Sequence, residues 1–194
     1  MRQQRRAQIL QASKEVFAEK GYHNASINEI IRRAGIARGT FYLYFTGKQT
    51  VFDSILKEAV EELRSRIRRI DTDEGADPPQ VQLRGSLIRV VEYILGDPHF
   101  ARLIVSNRLA PDAETGERAA AFYADVQEMI EHSLERGIEM GMVRDCDTKL
   151  IASALLGAVL GIVQHIVIGT ENPPTIDAIV DELIAFVLRG VVNF

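Results

Sequence analysis

A single cysteine in 194 residues excludes two chemistries at once. Cys146 has no intrachain partner for a disulfide, and no cysteine cluster exists to hold zinc. This usage fits a reducing cytoplasm. The four histidines, His23, His99, His132 and His165, do not fall into an H-E-x-x-H pattern, and neither a G-x-S-x-G elbow nor a phosphate-cradling glycine loop is present. Glu128, Glu131 and Glu135 lie on one helix at i, i+3 and i+7 without an E-x-x-H motif, so they read as a solvated surface. No catalytic centre, metal or cofactor is expected. The first residues are basic and polar and lack the apolar core of a signal peptide, which points away from secretion. Strand signals are scarce, and there is neither an internal repeat nor a low-complexity tract.

What is present is helical periodicity. The pattern predicts an all-α chain of about nine helices: residues 6–20 and 26–34, a short helix opening near Ala37, then 48–70, 81–95, 98–109, 117–140, 150–168 and 175–192. The helix over 48–70 has Val51, Phe52, Ile55, Leu56, Ala59, Leu63 and Ile67 as its inward stripe. The acidic, glycine- and proline-containing stretch 71–79 breaks the chain, and 111–116 reads as another loop. The length suits a small module over residues 1–47 and a larger helical domain over 48–194.

The most telling segment is 26–48, SINEIIRRAGIARGTFYLYFTGK. Ser26 and Glu29 have capping-box spacing, which fixes the start of a helix whose Ile27, Ile30, Ile31 and Ala34 form one apolar stripe. Asn28, Arg32 and Arg33 point elsewhere. Gly35 stands where a helix ends at positive φ, and a second helix opens at once. There Phe41 and Phe45, with Ile36, pack inward, which leaves Arg38 with Tyr42 and Thr40 with Tyr44 on the other surface. Gly39 allows a phosphate strand close to the backbone. A tyrosine offers a flat face to sugar or thymine methyl and a hydroxyl to phosphate, and Arg38 donates to a guanine edge or a phosphate. The pair is a helix-turn-helix suited to a DNA groove.

With the preceding helix and its Gly21-Tyr22 stop, this segment resembles the N-terminal domain of the TetR family of transcriptional regulators. The family pattern is a phosphate-binding Ser or Thr opening helix 2, a recognition helix G-[small]-[ST]-x-G-T-[LF]-Y-x-[HY]-F, and a lysine at the start of helix 4. This chain supplies Ser26, then Gly35 through Phe45, and Lys48. Ala37 stands where the family often has Ser or Thr, removing a side-chain N-cap worth about 1 kcal/mol. Tyr44 replaces the commoner His. The resemblance implies DNA contacts from Ser26, Asn28, Arg38, Gly39, Thr40, Tyr42, Leu43, Tyr44 and Lys48.

Charge is segregated accordingly. Residues 1–70 hold 14 Lys or Arg against 7 Asp or Glu, a net of +7, and the remainder 9 against 20, a net of −11. The local field attracts phosphate, whatever the acidic whole-chain balance. Arg2, Arg5 and Arg6 make a basic arm able to track phosphates or enter a minor groove. Arg64, Arg66, Arg68 and Arg69 lie about five turns along their helix from Lys48 and read as a solvated end.

The resemblance further implies a homodimer reading a palindromic operator, a small-molecule effector and the role of a repressor released by that effector. The apolar abundance, and a distant resemblance of the C-terminal half to TetR-type regulators of fatty-acid metabolism, suggest a hydrophobic or amphipathic effector such as a fatty acid or acyl-CoA. Tyr93, Phe100, Leu103, Asn107, Tyr123, Val126 and Ile130 are candidate ligand contacts, with His99, Arg102 and His132 as further polar candidates. The competing reading rests on 150–168, uncharged and containing Gly157-x-x-x-Gly161, a segment able by length to enter a membrane. Its polar Ser153, Gln164 and His165 and the lack of an aromatic belt favour burial in a dimer instead, with no membrane partner.

Overall fold

In a computed structural model the chain is described over residues 2–109, 115–169 and 172–191, the side chains of 107–109 and 188–191 excepted. Nine helices occupy these residues, with no strand among them: α1 (Arg2–Asn24), α2 (Ile27–Ala34), α3 (Arg38–Tyr42), α4 (Lys48–Arg66), α5 (Pro79–Gly96), α6 (Pro98–Leu109), α7 (Gly116–Glu139), α8 (Thr148–Gly169) and α9 (Ile176–Val191). The all-α expectation holds. The loop expected over 111–116 lies mostly outside the described residues.

Two compact units form. One comprises Met1–Val60 and Asp97–Phe122, the other Glu61–Gly96 and Tyr123–Phe194. The first unit therefore gathers more chain than the 1–47 module, because α6 packs on α1 as closely as α2 does. Lys14 of α1 pairs with Asp97 at the start of α6, and Asp97 Oδ1 accepts from the backbone N–H groups of His99 and Phe100, both at 3.1 Å, capping the helix. Burial alone raises the Asp97 carboxyl, but hydrogen bonds from Lys14 and the Phe100 N–H outweigh it and hold the group below its ordinary value.

Helices of five and eight residues, such as α3 and α2, do not persist alone in water. They are held here by a core of Ile9, Val16 and Phe17 from α1, Ile30 from α2, Phe41 from α3, and Val51 and Phe52 from α4, all essentially inaccessible. Each such large side chain contributes about 1.5–3 kcal/mol on burial, so packing outweighs local propensity.

In the second unit α5 and α9 meet through Val91, Ile179, Val180 and Leu183, and Arg84 binds Asp177 at 2.6 Å and Asp181 at 2.8 Å. Leu134 of α7 and Ala152 of α8 form a further apolar cluster with Ile130, Val143 and Leu155 around it. Gly137 is required there, since a Cβ would meet Val143 Cγ2 at 2.5 Å.

Two helix ends differ from expectation. Helix α1 runs on to Asn24 across a break at Gly21, φ 75° and ψ 161°. Helix α4 stops at Arg66, four residues early. The reason is tertiary: Arg89 Nε donates to the Arg66 carbonyl at 3.1 Å and Ser86 Oγ accepts from the Arg68 N–H at 3.4 Å, so α5 satisfies groups that another helical turn would have used. Ile67, expected in the buried stripe, is consequently exposed, while the other six stripe residues are buried.

Candidate nucleic-acid interface

The backbone of 26–45 follows from local rules. Ser26 is extended, at φ −114° and ψ 149°, and its hydroxyl accepts from the Glu29 N–H at 3.3 Å while Glu29 Oε2 accepts from the Ser26 N–H at 3.1 Å. Lys20 pairs with the same carboxylate. Hydrogen bonds from Lys20, then from Ser26, lower the Glu29 carboxyl from 4.5 to about 2. Gly35 closes α2 in the left-handed region at φ 61°, its N–H donating to Arg32 O at 3.2 Å, and the Ile36 N–H reaches Ile31 O at 3.2 Å. Ala37 opens α3 with cap geometry, φ −73° and ψ 151°, but without a side-chain bond.

The α3 side chains sort by burial. Phe41 and Phe45 lie inside, their ring centroids 6.0 Å apart. Arg38, Gly39, Tyr42 and Leu43 are exposed, Tyr42 by 44% and Leu43 by 76%, and Thr40 and Tyr44 are half-buried. The Arg38 guanidinium lies 5.8 Å from the Tyr42 ring centroid, which limits the freedom of both before any ligand arrives. Asn28 and Ser26 are exposed at the start of α2.

Lys48 stands differently. Its ammonium donates to the carbonyls of Tyr22 at 2.9 Å, His23 at 3.1 Å and Ala25 at 3.4 Å, and sits 4.4 Å from the Tyr22 ring centroid. Each ammonium hydrogen thus has a carbonyl within reach, and the lysine ties the end of α1 to the start of α4 rather than standing as a free cation. Tyr22 is the residue that sequence reasoning missed. In the sequence it reads only as a helix stop, yet its ring packs 5.4 Å from both Phe17 and Phe52 and carries the Lys48 ammonium. The basic arm is also revised. Residues 2–6 are helical, and Arg6 pairs with Glu58 and lies 5.6 Å from the Phe45 ring centroid, so it braces the head. Arg33 is likewise held by Glu15 and Glu19 of α1.

Among the candidate ligand residues, Phe100 and Leu103 are buried in the first unit. Tyr93, Tyr123, Val126 and Ile130 are half-buried members of the second, and Arg66 stacks on Tyr93 at 4.5 Å. The Asn107 side chain lies outside the described residues.

An exposed cationic and aromatic edge on a capped helix-turn-helix, backed by its own aromatic core, defines a DNA-binding regulator. Residues 9–55 match the bacterial regulatory proteins of the tetR family, and residues 76–191 match the tetracyclin repressor-like C-terminal domain. The chain belongs to the TetR family of transcriptional regulators, which act by binding DNA and not as enzymes. It is 26% identical over 153 residues to the fatty acid metabolism regulator protein of Bacillus subtilis, covering 78% of each chain. Its fold is similar to that of the fatty acid degradation regulator FadR of Bacillus halodurans, at TM-score 0.78 and 23% identity, covering 96% of this chain and 95% of that one. It is also similar to the regulator FadR of Bacillus subtilis in complex with stearoyl-CoA, at TM-score 0.76 and 22% identity, covering 95% and 98%.

Proposed function

We propose that this regulator is a homodimeric repressor that binds a palindromic operator through Arg38, Gly39, Thr40, Tyr42, Leu43 and Tyr44 of each protomer and is released by a long-chain acyl effector. The single observation that carries the DNA reading is the division of α3, with Phe41 and Phe45 inside and Arg38, Tyr42 and Leu43 outside. Ser26 and Asn28 contribute from α2. Lys48 supports the interface by fixing α1 against α4.

One short helix reads too few base pairs for specificity, and two such helices about 34–36 Å apart read a palindrome. Helix α8 supports a second copy. It is apolar along its length, yet only 22% of its most apolar stretch is buried within one chain, the rest being half-buried or exposed. Leu150 and Ile168 on α8 and Phe186 on α9 are each more than 60% exposed, and open space faces both Gly157 and Gly161. A symmetry mate covers such a surface at less cost than water does. A membrane would do so too, and α8 is long and apolar enough to cross one. Family membership favours the mate, and with it a cytoplasmic protein.

The effector reading draws support from the relative named for fatty acid metabolism and from the neighbour holding stearoyl-CoA. Selection of bound duplexes from a random pool, followed by displacement with palmitate and palmitoyl-CoA, tests the whole proposal. A palindromic consensus bound by a sedimenting dimer and released by an acyl compound is the expected result. Recovery of no consensus refutes the operator reading.

A further inference from the structure

The first turn of α4 is gripped from α7. Arg118 Nε donates to Asp53 Oδ1 at 2.5 Å, and Gln49, with its amide oxygen turned to the guanidinium, accepts from Nη1 at 3.0 Å and from Nη2 at 2.6 Å. Gln49 and Asp53 stand at i and i+4 on one face of α4, so a single planar guanidinium spans that turn. The base of the arginine is itself fixed. Thr115, just ahead of α7, and Ala119 and Phe122 within it are buried in the first unit, and the Ala119 N–H donates to the Thr115 carbonyl at 2.8 Å. From Tyr123 onward the same helix belongs to the second unit, where Leu134 packs with Ala152.

The connection from that turn to the reading helix is short and bonded at both ends. Only residues 43–47 separate α3 from α4. The Tyr44 and Phe45 N–H groups both reach the Phe41 carbonyl at 3.0 Å. At the other end the Gly47 N–H donates to Thr50 Oγ1 at 3.3 Å, and the Thr50 hydroxyl donates to the Gly47 carbonyl at 2.9 Å. A displacement of the first turn of α4 therefore passes to α3. The Arg118 and Asp53 side chains are 34% and 45% exposed. A pair in that setting adds only about 0–1 kcal/mol to folding, so it fixes geometry more than it holds the head together.

We infer that Arg118 is a positioning residue for operator binding: α7, by gripping Gln49 and Asp53, sets the pose of the reading helix without touching DNA. The assignment rests on the operator reading of α3 and deepens it. It differs from the Lys48 tie, which holds the same end of α4 to α1.

The test is a double-mutant cycle on the full-length protein, with Arg118→Gln, Asp53→Asn and both together. Fluorescence anisotropy measures affinity for a duplex recovered by selection and for a scrambled duplex of equal length. The ratio of the two affinities is the readout, because long-range charge effects act on both duplexes alike. Each single variant is expected to lower the ratio about three- to tenfold, and the double variant to lower it no further than the worse single. Arg118→Lys, which keeps a charge for Asp53, is expected to recover part of the loss. The salt dependence of binding is expected to stay unchanged in Arg118→Gln, with a melting temperature within a few degrees of the wild type. An unaltered ratio in Arg118→Gln, or losses that multiply in the double variant, overturns the grip while leaving α3 as the reading helix. A salt slope lower by about one unit also overturns it, since Arg118 would then contact phosphate directly. A ratio unaltered by Tyr42→Ala removes the operator reading of α3 and the grip's role with it.

Discussion

Tyr42 and Lys48 are six residues apart and carry opposite kinds of role, which mutation separates. Tyr42 is exposed and its hydroxyl has no hydrogen-bond partner among the described residues, so Tyr42→Ala is expected to leave folding largely unchanged and to cost about 1–3 kcal/mol of operator affinity, read by fluorescence anisotropy. Lys48 donates to three carbonyls at the end of α1, and Lys48→Met is expected to destabilise the protein by about 1–3 kcal/mol in urea unfolding. A stable Lys48→Met protein whose salt dependence of DNA binding falls by about one unit would return the lysine to a direct phosphate contact. Glu29 gives a pH-dependent check of the same head. Its folded value of about 2 lies below the ordinary 4.5, so the unfolded chain takes up the proton first as pH falls. The stability advantage over Glu29→Gln is expected in full above about 4.5 and to shrink as pH drops toward 2, measured by denaturation of both proteins across that range.

At the scale of the element, whatever is local was legible in the sequence. The capping box at Ser26, the left-handed Gly35, the inward Phe41 and Phe45 and the missing cap at Ala37 each depend on residues within a turn of one another, and the structure has all of them. What the sequence did not reveal depends on distant partners. Helix α4 ends where Arg89, 23 residues further on, reaches its carbonyl, and Lys48 turns inward because the end of α1 offers carbonyls there. Docking of α6 on α1 rests on the Lys14–Asp97 pair, 83 residues apart in the chain. Periodicity contains no information on such pairings. It does license a local prediction: Ala37 already has the extended backbone of an N-cap, so Ala37→Ser is expected to stabilise the head by about 0.5–1 kcal/mol, seen as a higher urea midpoint. An unchanged midpoint would mean that the α3 N-terminus is already satisfied without a side-chain cap.

At the scale of the whole molecule, regulation requires that an effector bind one arrangement of the reading heads better than another. An effector with equal affinity for both shifts nothing. Helix α4 is shared between the two compact units, running without interruption from Lys48 beside the reading helix to Arg66 beside Arg89. In the proposed dimer, an effector that tilts α4 is expected to re-space the reading heads, because Lys48 at its start is tied to the end of α1. The coupling is expected to lie in the usual 1–3 kcal/mol range, and operator must weaken palmitoyl-CoA binding by the factor with which palmitoyl-CoA weakens operator binding. Spin labels test the geometry directly. With Cys146→Ser removing the native thiol and Arg32→Cys placing one label on the exposed side of α2 in each protomer, the inter-head distance is read by pulsed dipolar spectroscopy. Saturating palmitoyl-CoA is expected to move that distance away from the value measured with operator bound. Identical distances in the operator-bound and ligand-saturated dimers would place the coupling elsewhere than in head spacing, because no differential geometry would then exist for the ligand to select.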